Sequence, residues 1–289
     1  MRIGPESPSI NSLVDFKKTV LDFYYFHKRH FPWRDIENPY FILVSEIMLQ
    51  QTQAPRVIEK FNEFITEFPT INTLAKASSE EVLRVWQGLG YNRRGIFLKK
   101  SAEKIVSEYE GIVPNNVEDL QKLPGIGHNT ACAIVAFAFN KPVVFIETNI
   151  RTVFIHRFFT DKESVNDKDI LPIIEKVLQV TYLPTDYAEN DKVDPRDWYY
   201  ALMDYGVYLK KAFKNPSRKS SSYSKQSKFD GSRRQVRGEI IRLLLDRKTL
   251  SKKDLFSLIN REESEIAKIL SGLEKEGMIT FKNQVYTIA

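Results

Sequence analysis

The 289 residues are 42% hydrophobic and 28% charged, which suits a globular chain with one large or two to three small cores and excludes a disordered or fibrous one. Forty-three basic and 37 acidic residues give +6, and ten of the basic ones lie between Val207 and Arg237 against the single acid Asp230, so that segment holds +9 and the rest −3. One cysteine, Cys132, excludes a disulfide framework or a multi-cysteine metal site within the chain, and no apolar run approaches the about 18 residues of a membrane span.

These counts point to an intracellular address, and the polar stretch from Met1 to Asn11 does not read as a signal peptide. The first helical pattern covers residues 12 to 28, with apolar side chains at spacings of three and four, and His30-Phe31-Pro32-Trp33 breaks it. Helical patterns punctuated by Pro or Gly follow at 41 to 50, 54 to 67, 79 to 87, 92 to 109, 116 to 122 and 128 to 139. Three more cover 148 to 159, 167 to 180 and 195 to 212, so the first 212 residues read as all-α.

From 215 to 232 the apolar periodicity is lost. Six of the eleven residues 217 to 227 are serine among Lys and Arg, the composition of a linker. Helices are then predicted at 234 to 246, 251 to 259 and 262 to 276, with strands at Met278 to Phe281 and Val285 to Ile288, a winged-helix arrangement over 233–289. The whole is mainly α.

Function is most legible in Leu120-Gln121-Lys122-Leu123-Pro124-Gly125-Ile126-Gly127-His128-Asn129-Thr130-Ala131. A helix, a glycine turn and a second helix of small residues would bring bare N–H groups to that helix's N-terminus, where a phosphate is favoured. The segment resembles a helix-hairpin-helix. Gly125, Gly127, His128 and Thr130 are then the phosphate contacts.

Pro32-Trp33-Arg34, Pro39-Tyr40, Ser45-Glu46-Ile47-Met48-Leu49-Gln50-Gln51-Thr52-Gln53 and Gly88-Leu89-Gly90-Tyr91-Asn92-Arg93-Arg94 precede it in order. Over residues 30 to 210 the chain resembles the helix-hairpin-helix (HhH-GPD) DNA glycosylase superfamily, and within it the MutY adenine DNA glycosylases. The resemblance implies a two-lobed core over 1–214. A six-helix lobe would occupy about 38–141, and the second lobe 8–30 with 142–214.

It also implies roles. Glu46, an acid in an otherwise apolar helix where burial would raise its pKa, is matched to the group that protonates the departing base. Glu147 stands where the family has an aspartate that stabilises the cationic sugar. The extra methylene leaves three readings open: an active variant, an enzyme for another base, or an inactive binder. Asn149 either supports this acid or, like Thr148, caps the helix. Asn129 occupies the position of the Schiff-base lysine of endonuclease III, which implies no lyase step.

Gln51 and Tyr91 match residues that enter the duplex as the base is extruded, and Leu49 and Thr52 match neighbours of the opposite base. Arg93 and Arg94 read as phosphate contacts. Asp204 reads as structural. The family hairpin implies a monovalent cation, K+ or Na+, at the carbonyls of Leu123 and Ile126.

The cysteines that hold a [4Fe–4S] cluster in most relatives fall near Lys210, Ser217, Ser220 and Gln226, so no cluster and no other cofactor is expected. The basic stretch, with Lys210, Lys211, Arg218 and Lys219, would contact DNA in its place. The third winged-helix helix carries Glu262, Glu263, Glu265, Glu274 and Glu276, which argues against major-groove reading. Packing, backbone contact through Lys282 or protein contact remain for this domain.

The implied activity is excision, by a monomer, of a mispaired base from double-stranded DNA in the cytoplasm or nucleoid of a prokaryote, with adenine opposite guanine or 8-oxoguanine first. Thymine, uracil or a damaged base is the alternative target, and a catalytically silent DNA-binding protein is the alternative class.

Overall fold

The computed structural model describes residues 8–180, 194–226 and 228–289. In chain order the helices are α1 (Ile10–His27), α2 (Pro39–Leu49), α3 (Ala54–Glu67), α4 (Ile71–Lys76), α5 (Ser79–Trp86), α6 (Arg93–Glu108) and α7 (Val117–Gln121). There follow α8 (His128–Phe139), α9 (Thr148–Phe158), α10 (Asp167–Gln179), α11 (Pro195–Ala212), α12 (Arg233–Arg247), α13 (Lys252–Leu258) and α14 (Glu263–Lys275). Three short strands, β1 (Leu250–Ser251), β2 (Ile279–Lys282) and β3 (Val285–Ile288), lie among the last helices. The chain is thus mainly α. No helix among the described residues is long and apolar enough to cross a membrane.

Two compact units divide the chain, Met1–Glu37 with Gly127–Lys225 and Asn38–Ile126 with Gln226–Ala289. This differs from the expected lobes in two ways. The chain changes unit at Ile126–Gly127, inside the glycine turn, so α8 belongs with the first unit. Its aromatic partner explains why, because Phe137 stacks on Tyr200 of α11 at 4.4 Å. The winged helix, in turn, is not a separate body but part of the second unit.

In the first unit Phe16 of α1 meets Phe154 and Phe158 of α9 and Trp198 of α11 edge-on, at 5.2, 5.0 and 6.0 Å. Gly206 lets α11 approach the start of α9, since a Cβ there would lie 2.5 Å from the Asn149 carbonyl oxygen. Asp204, buried two residues earlier, accepts from Arg29 Nε at 2.7 Å and from Arg34 Nη1 and Nη2 at 2.8 and 2.7 Å. It ties α11 to the segment after α1, the structural role read from the sequence.

The segment expected to be a spacer, 215–232, is folded over its first residues. A 3-10 turn at Pro216–Lys219 is capped by the Asn215 side chain, and Pro216 and Ser217 are buried. Val165 N–H donates to the Lys219 carbonyl at 2.8 Å, and Ser221 N–H donates to the Val165 carbonyl at 2.9 Å.

The second unit packs α2 to α6 together, with Phe61, Phe64 and Trp86 fully buried. Its C-terminal part forms an antiparallel sheet of order β1-β3-β2. Asn283 and Gln284, with φ of 49° and 63°, make the left-handed two-residue turn that suits a twisted hairpin. Leu83 of α5 and Ile96 of α6 belong to the same buried cluster as Ile240, Leu244, Ile266 and Leu270, and each such side chain contributes roughly 1.5–3 kcal/mol on burial. Arg84 Nη2 donates to the Leu245 carbonyl at 3.0 Å, and Lys248 pairs with Glu80.

Candidate functional site

Helix α2 starts where Asn38 accepts from Tyr40 N–H at 3.0 Å, with Pro39 in the first turn. Its side chains Ile42, Leu43, Val44, Ser45, Ile47 and Met48 are buried, while Glu46 is half-buried. The sequence suggested a buried acid; the structure leaves this residue half-buried among fully buried neighbours. Leu49 is half-buried at the helix end.

Beyond α2 the chain turns sharply at Gln51, whose φ is 56°, and Tyr91 has φ of 48° in the turn Gly88–Tyr91. Left-handed backbone at a non-glycine residue costs roughly 1–2 kcal/mol and concentrates at functional sites. Arg94 holds these two turns together. Its guanidinium is buried and donates to the carbonyls of Ile47 at 3.0 Å, Met48 at 2.8 Å, Leu89 at 3.4 Å and Gly90 at 3.1 Å, to Thr52 Oγ1 at 2.9 Å, and to the Gln50 carbonyl. Arg94 is therefore not the phosphate contact the sequence suggested: six acceptors in the protein occupy it. Burial pushes its pKa down to about 10, which leaves it charged at neutral pH. Arg93 is exposed, with its cation 4.6 Å from the Phe97 ring.

Tyr91 has partners outside its own turn. Its hydroxyl accepts from Gln226 Nε2 and from the Arg234 guanidinium, and the Arg94 and Arg234 cations lie 5.4 and 5.2 Å from its ring centroid. A groove of about 1100 Å³ runs between the turns at Gln51 and Tyr91 and the helix α12. Arg234, Gly238 and Arg242 line it at intervals of four residues, one face of α12. The sequence reading missed this face because Arg233, Arg234 and Arg237 were counted with the basic stretch. The four-residue spacing was the signal available.

The hairpin's two halves fall in different units. In the second unit Gly125 has φ of 78°, and a Cβ there would meet Phe97 at 2.7 Å. Ser101 Oγ donates to the Pro124 carbonyl at 3.0 Å, and Gln50 Nε2 to that of Gly125 at 3.3 Å. The Leu123 carbonyl accepts from Ile126 N–H at 3.3 Å, and an oxygen with a second lone pair remains a chemically suitable donor for a monovalent cation. In the first unit Gly127 caps α8 without a side-chain bond, and Gly127, His128 and Asn129 are exposed while Thr130 is half-buried.

Glu147 itself caps α9. Its Oε1 accepts from the N–H groups of Asn149 at 2.7 Å and Ile150 at 2.9 Å, and its Oε2 from Asn149 Nδ2 at 3.3 Å. Neither Asn149 nor Thr148 is the cap. Asn149 supports the acid and is held in turn by Lys210, whose Nζ donates to Asn149 Oδ1 at 2.7 Å. Lys210 lies one turn after Gly206 and so faces the same approach. Burial lowers its pKa, and the Glu147 charge opposes that shift. Lys210 is thus turned toward the carboxylate's support, not toward a phosphate. Lys219 is likewise engaged, donating to the Thr160 carbonyl at 2.6 Å, whereas Lys211 and Arg218 are exposed.

The donors here do not fit a [4Fe–4S] cluster. Cluster ligation needs thiolates, and the lone Cys132 is buried, its thiol pushed up to about 11 by desolvation. Lys210, Ser217 and Ser220 offer an amine and hydroxyls instead.

Residues 44–179 match the family described as HhH-GPD superfamily base excision DNA repair protein. The chain is 38% identical over 165 residues to the adenine DNA glycosylase of Buchnera aphidicola subsp. Baizongia pistaciae, covering 57% of this chain and 46% of that protein. It is 40% identical over 153 residues to the human adenine DNA glycosylase, covering 50% and 28% respectively. The chain thus spans half or less of the length of these curated relatives. Among solved structures, a thermostable thymine-DNA glycosylase superposes with a TM-score of 0.58 at 28% identity, over 68% of this chain and 87% of that one. A complex of endonuclease III with DNA shares the fold at a TM-score of 0.54 and 16% identity, over 70% of this chain and 86% of that one.

Proposed function

We propose that the chain, whose residues 44–179 match the family described as HhH-GPD superfamily base excision DNA repair protein, is a monofunctional DNA glycosylase that removes adenine mispaired with guanine or 8-oxoguanine. The observation that carries the reading is the segment Ser45 to Thr52, where a half-exposed acid between buried neighbours is followed within five residues by the left-handed Gln51. Adenine is the base named for the curated relatives that match this chain at 38% identity over 165 residues and 40% over 153.

In this reading Glu46 gives its proton to a ring nitrogen of the extruded adenine. The C1′–N9 bond breaks with its electron pair leaving on the base. The cationic sugar is stabilised by the Glu147 carboxylate, which α9, Asn149 and Lys210 hold in place. Water adds at C1′ and releases a proton, so that the products are adenine and an abasic site. Asn129 cannot form an imine, and no strand cleavage follows. A K+ or Na+ ion at the Leu123 and Ile126 carbonyls would add positive charge for a backbone phosphate. The partner is double-stranded DNA carrying a mispair, bound by a monomer.

A second reading keeps the chemistry and changes the base to thymine. It is favoured by the 28% identity with the thymine-DNA glycosylase, of which this chain covers 87%. Single-turnover incubation with duplexes bearing each mispair, followed by alkali, separates the two. Breaks at adenine opposite guanine or 8-oxoguanine are the expected result, and breaks only at thymine or uracil would replace the first reading with the second. No break at any base would leave a DNA-binding protein. A borohydride-trapped adduct would overturn the monofunctional assignment.

A further inference from the structure

We infer that the groove between the turns at Gln51 and Tyr91 and the helix α12 takes the DNA strand opposite the extruded base, so that the winged helix helps set which opposite base is preferred. The inference rests on the glycosylase reading and extends it to a domain that reading leaves without a role.

The groove's size and chemistry fit a strand. Its volume of about 1100 Å³ exceeds that of most small-molecule pockets. Arg93, Arg234 and Arg242 supply cations along it, and Gln51, Gln87 and Gln235 supply amides. Cations suit phosphates, and amides can both donate to and accept from base edges. Two carboxylates also line it, Glu239 and Glu276, of which Glu276 is paired with Arg237 at 2.6 Å.

Backbone strain points to the same place. Gln51 and Tyr91, both left-handed, stand on the groove's one wall. The opposite wall is not passive, because Arg234 of α12 and Gln226 bond the Tyr91 hydroxyl. A residue implied to enter the duplex is therefore positioned by the C-terminal part of the chain. The third winged-helix helix, α14, reaches the groove only near its end, at Leu273 and Glu276, and the wing residue Lys282 does not line it. The DNA face of this winged helix is thus its first helix.

Fluorescence anisotropy with duplexes carrying a tetrahydrofuran abasic analogue opposite A, C, G, T or 8-oxoguanine tests this without requiring excision. The full chain is expected to spread its affinities by about tenfold or more across the five opposite bases. Arg234→Gln should compress the spread. Arg242→Gln, at an exposed position, should weaken all five alike and reduce the salt slope by about 1. Lys282→Gln should change neither. An unchanged spread and slope in both arginine variants, or no spread in the parent chain, would overturn the inference while leaving excision to be read in the mispair panel. A chain that excises nothing yet shows a spread lost in Arg234→Gln would overturn the glycosylase reading and keep the groove.

Discussion

Glu147 shows how a longer side chain can be held in place. Its carboxylate accepts two backbone N–H groups and the Asn149 amide, and Asn149 is braced by Lys210. Glu147→Gln should abolish excision while DNA affinity measured by anisotropy stays within about twofold, because the substitution removes charge at the sugar and little else. Full activity in that variant would place the stabilising carboxylate elsewhere. Lys210→Met should lower the single-turnover rate on the order of tenfold through a misplaced Asn149 and leave the salt slope of binding unchanged. A lower slope with an unchanged rate would return Lys210 to the phosphate role suggested by the sequence. That role was the natural reading of a lysine in a +9 segment. Only the close approach permitted by Gly206 reveals its partner, and no local pattern encodes that approach. Arg94 teaches the same lesson in the second unit. Arg94→Lys keeps the charge but cannot serve six acceptors, and it should cost roughly 2–4 kcal/mol in urea unfolding; a loss below about 0.5 kcal/mol, the usual range of surface changes, would contradict its place as the clamp.

Among elements, the long helices were legible because their apolar residues recur at helical spacing, and α1, α3, α6 and α11 lie close to the expected bounds. Of the short elements, α7, α13, β2 and β3 were legible, but α4, β1 and the 3-10 turn were not. Helix α4 has six residues and is closed by a threonine pair, Thr70 and Thr73, in place of the usual acid. Strand β1 has two residues, too few to alternate. The 3-10 turn at Pro216–Lys219 is fixed by Val165, a partner about fifty residues earlier that composition cannot disclose. Burial within α1 has a consequence for pH. Lys17 donates to the Val180 carbonyl at 2.7 Å near the end of α10, and burial lowers its pKa from 10.5 to about 8. Between those values the unfolded chain holds a proton that the folded chain has released. Stability from this group therefore rises as pH goes from about 8 to 10.5. The urea midpoint of the parent chain should gain on that of Lys17→Met across this window, and a constant difference would contradict the assignment.

At the scale of the whole molecule, the charge count located a basic segment, and the residues near Lys210, Ser217 and Ser220 offer no thiolates. The count treated 207–237 as one stretch, whereas the structure divides it. Residues up to Lys225 belong with the first unit, and those from Gln226 belong with the second. The winged helix was recognisable as three helices and a hairpin. Its shared core with Leu83 and Ile96 was not, because apolar periodicity tells which face is buried and not against what. Glu46 and Glu147 were both singled out by resemblance, and they stand in different units, each on its own helix or helix cap. The most direct measurement of the proposed activity is free-base release from a duplex with adenine opposite 8-oxoguanine under single-turnover conditions. One equivalent of free adenine from the parent chain and none from Glu46→Gln is the expected result; intact adenine with the parent chain, or equal release by Glu46→Gln, would contradict it.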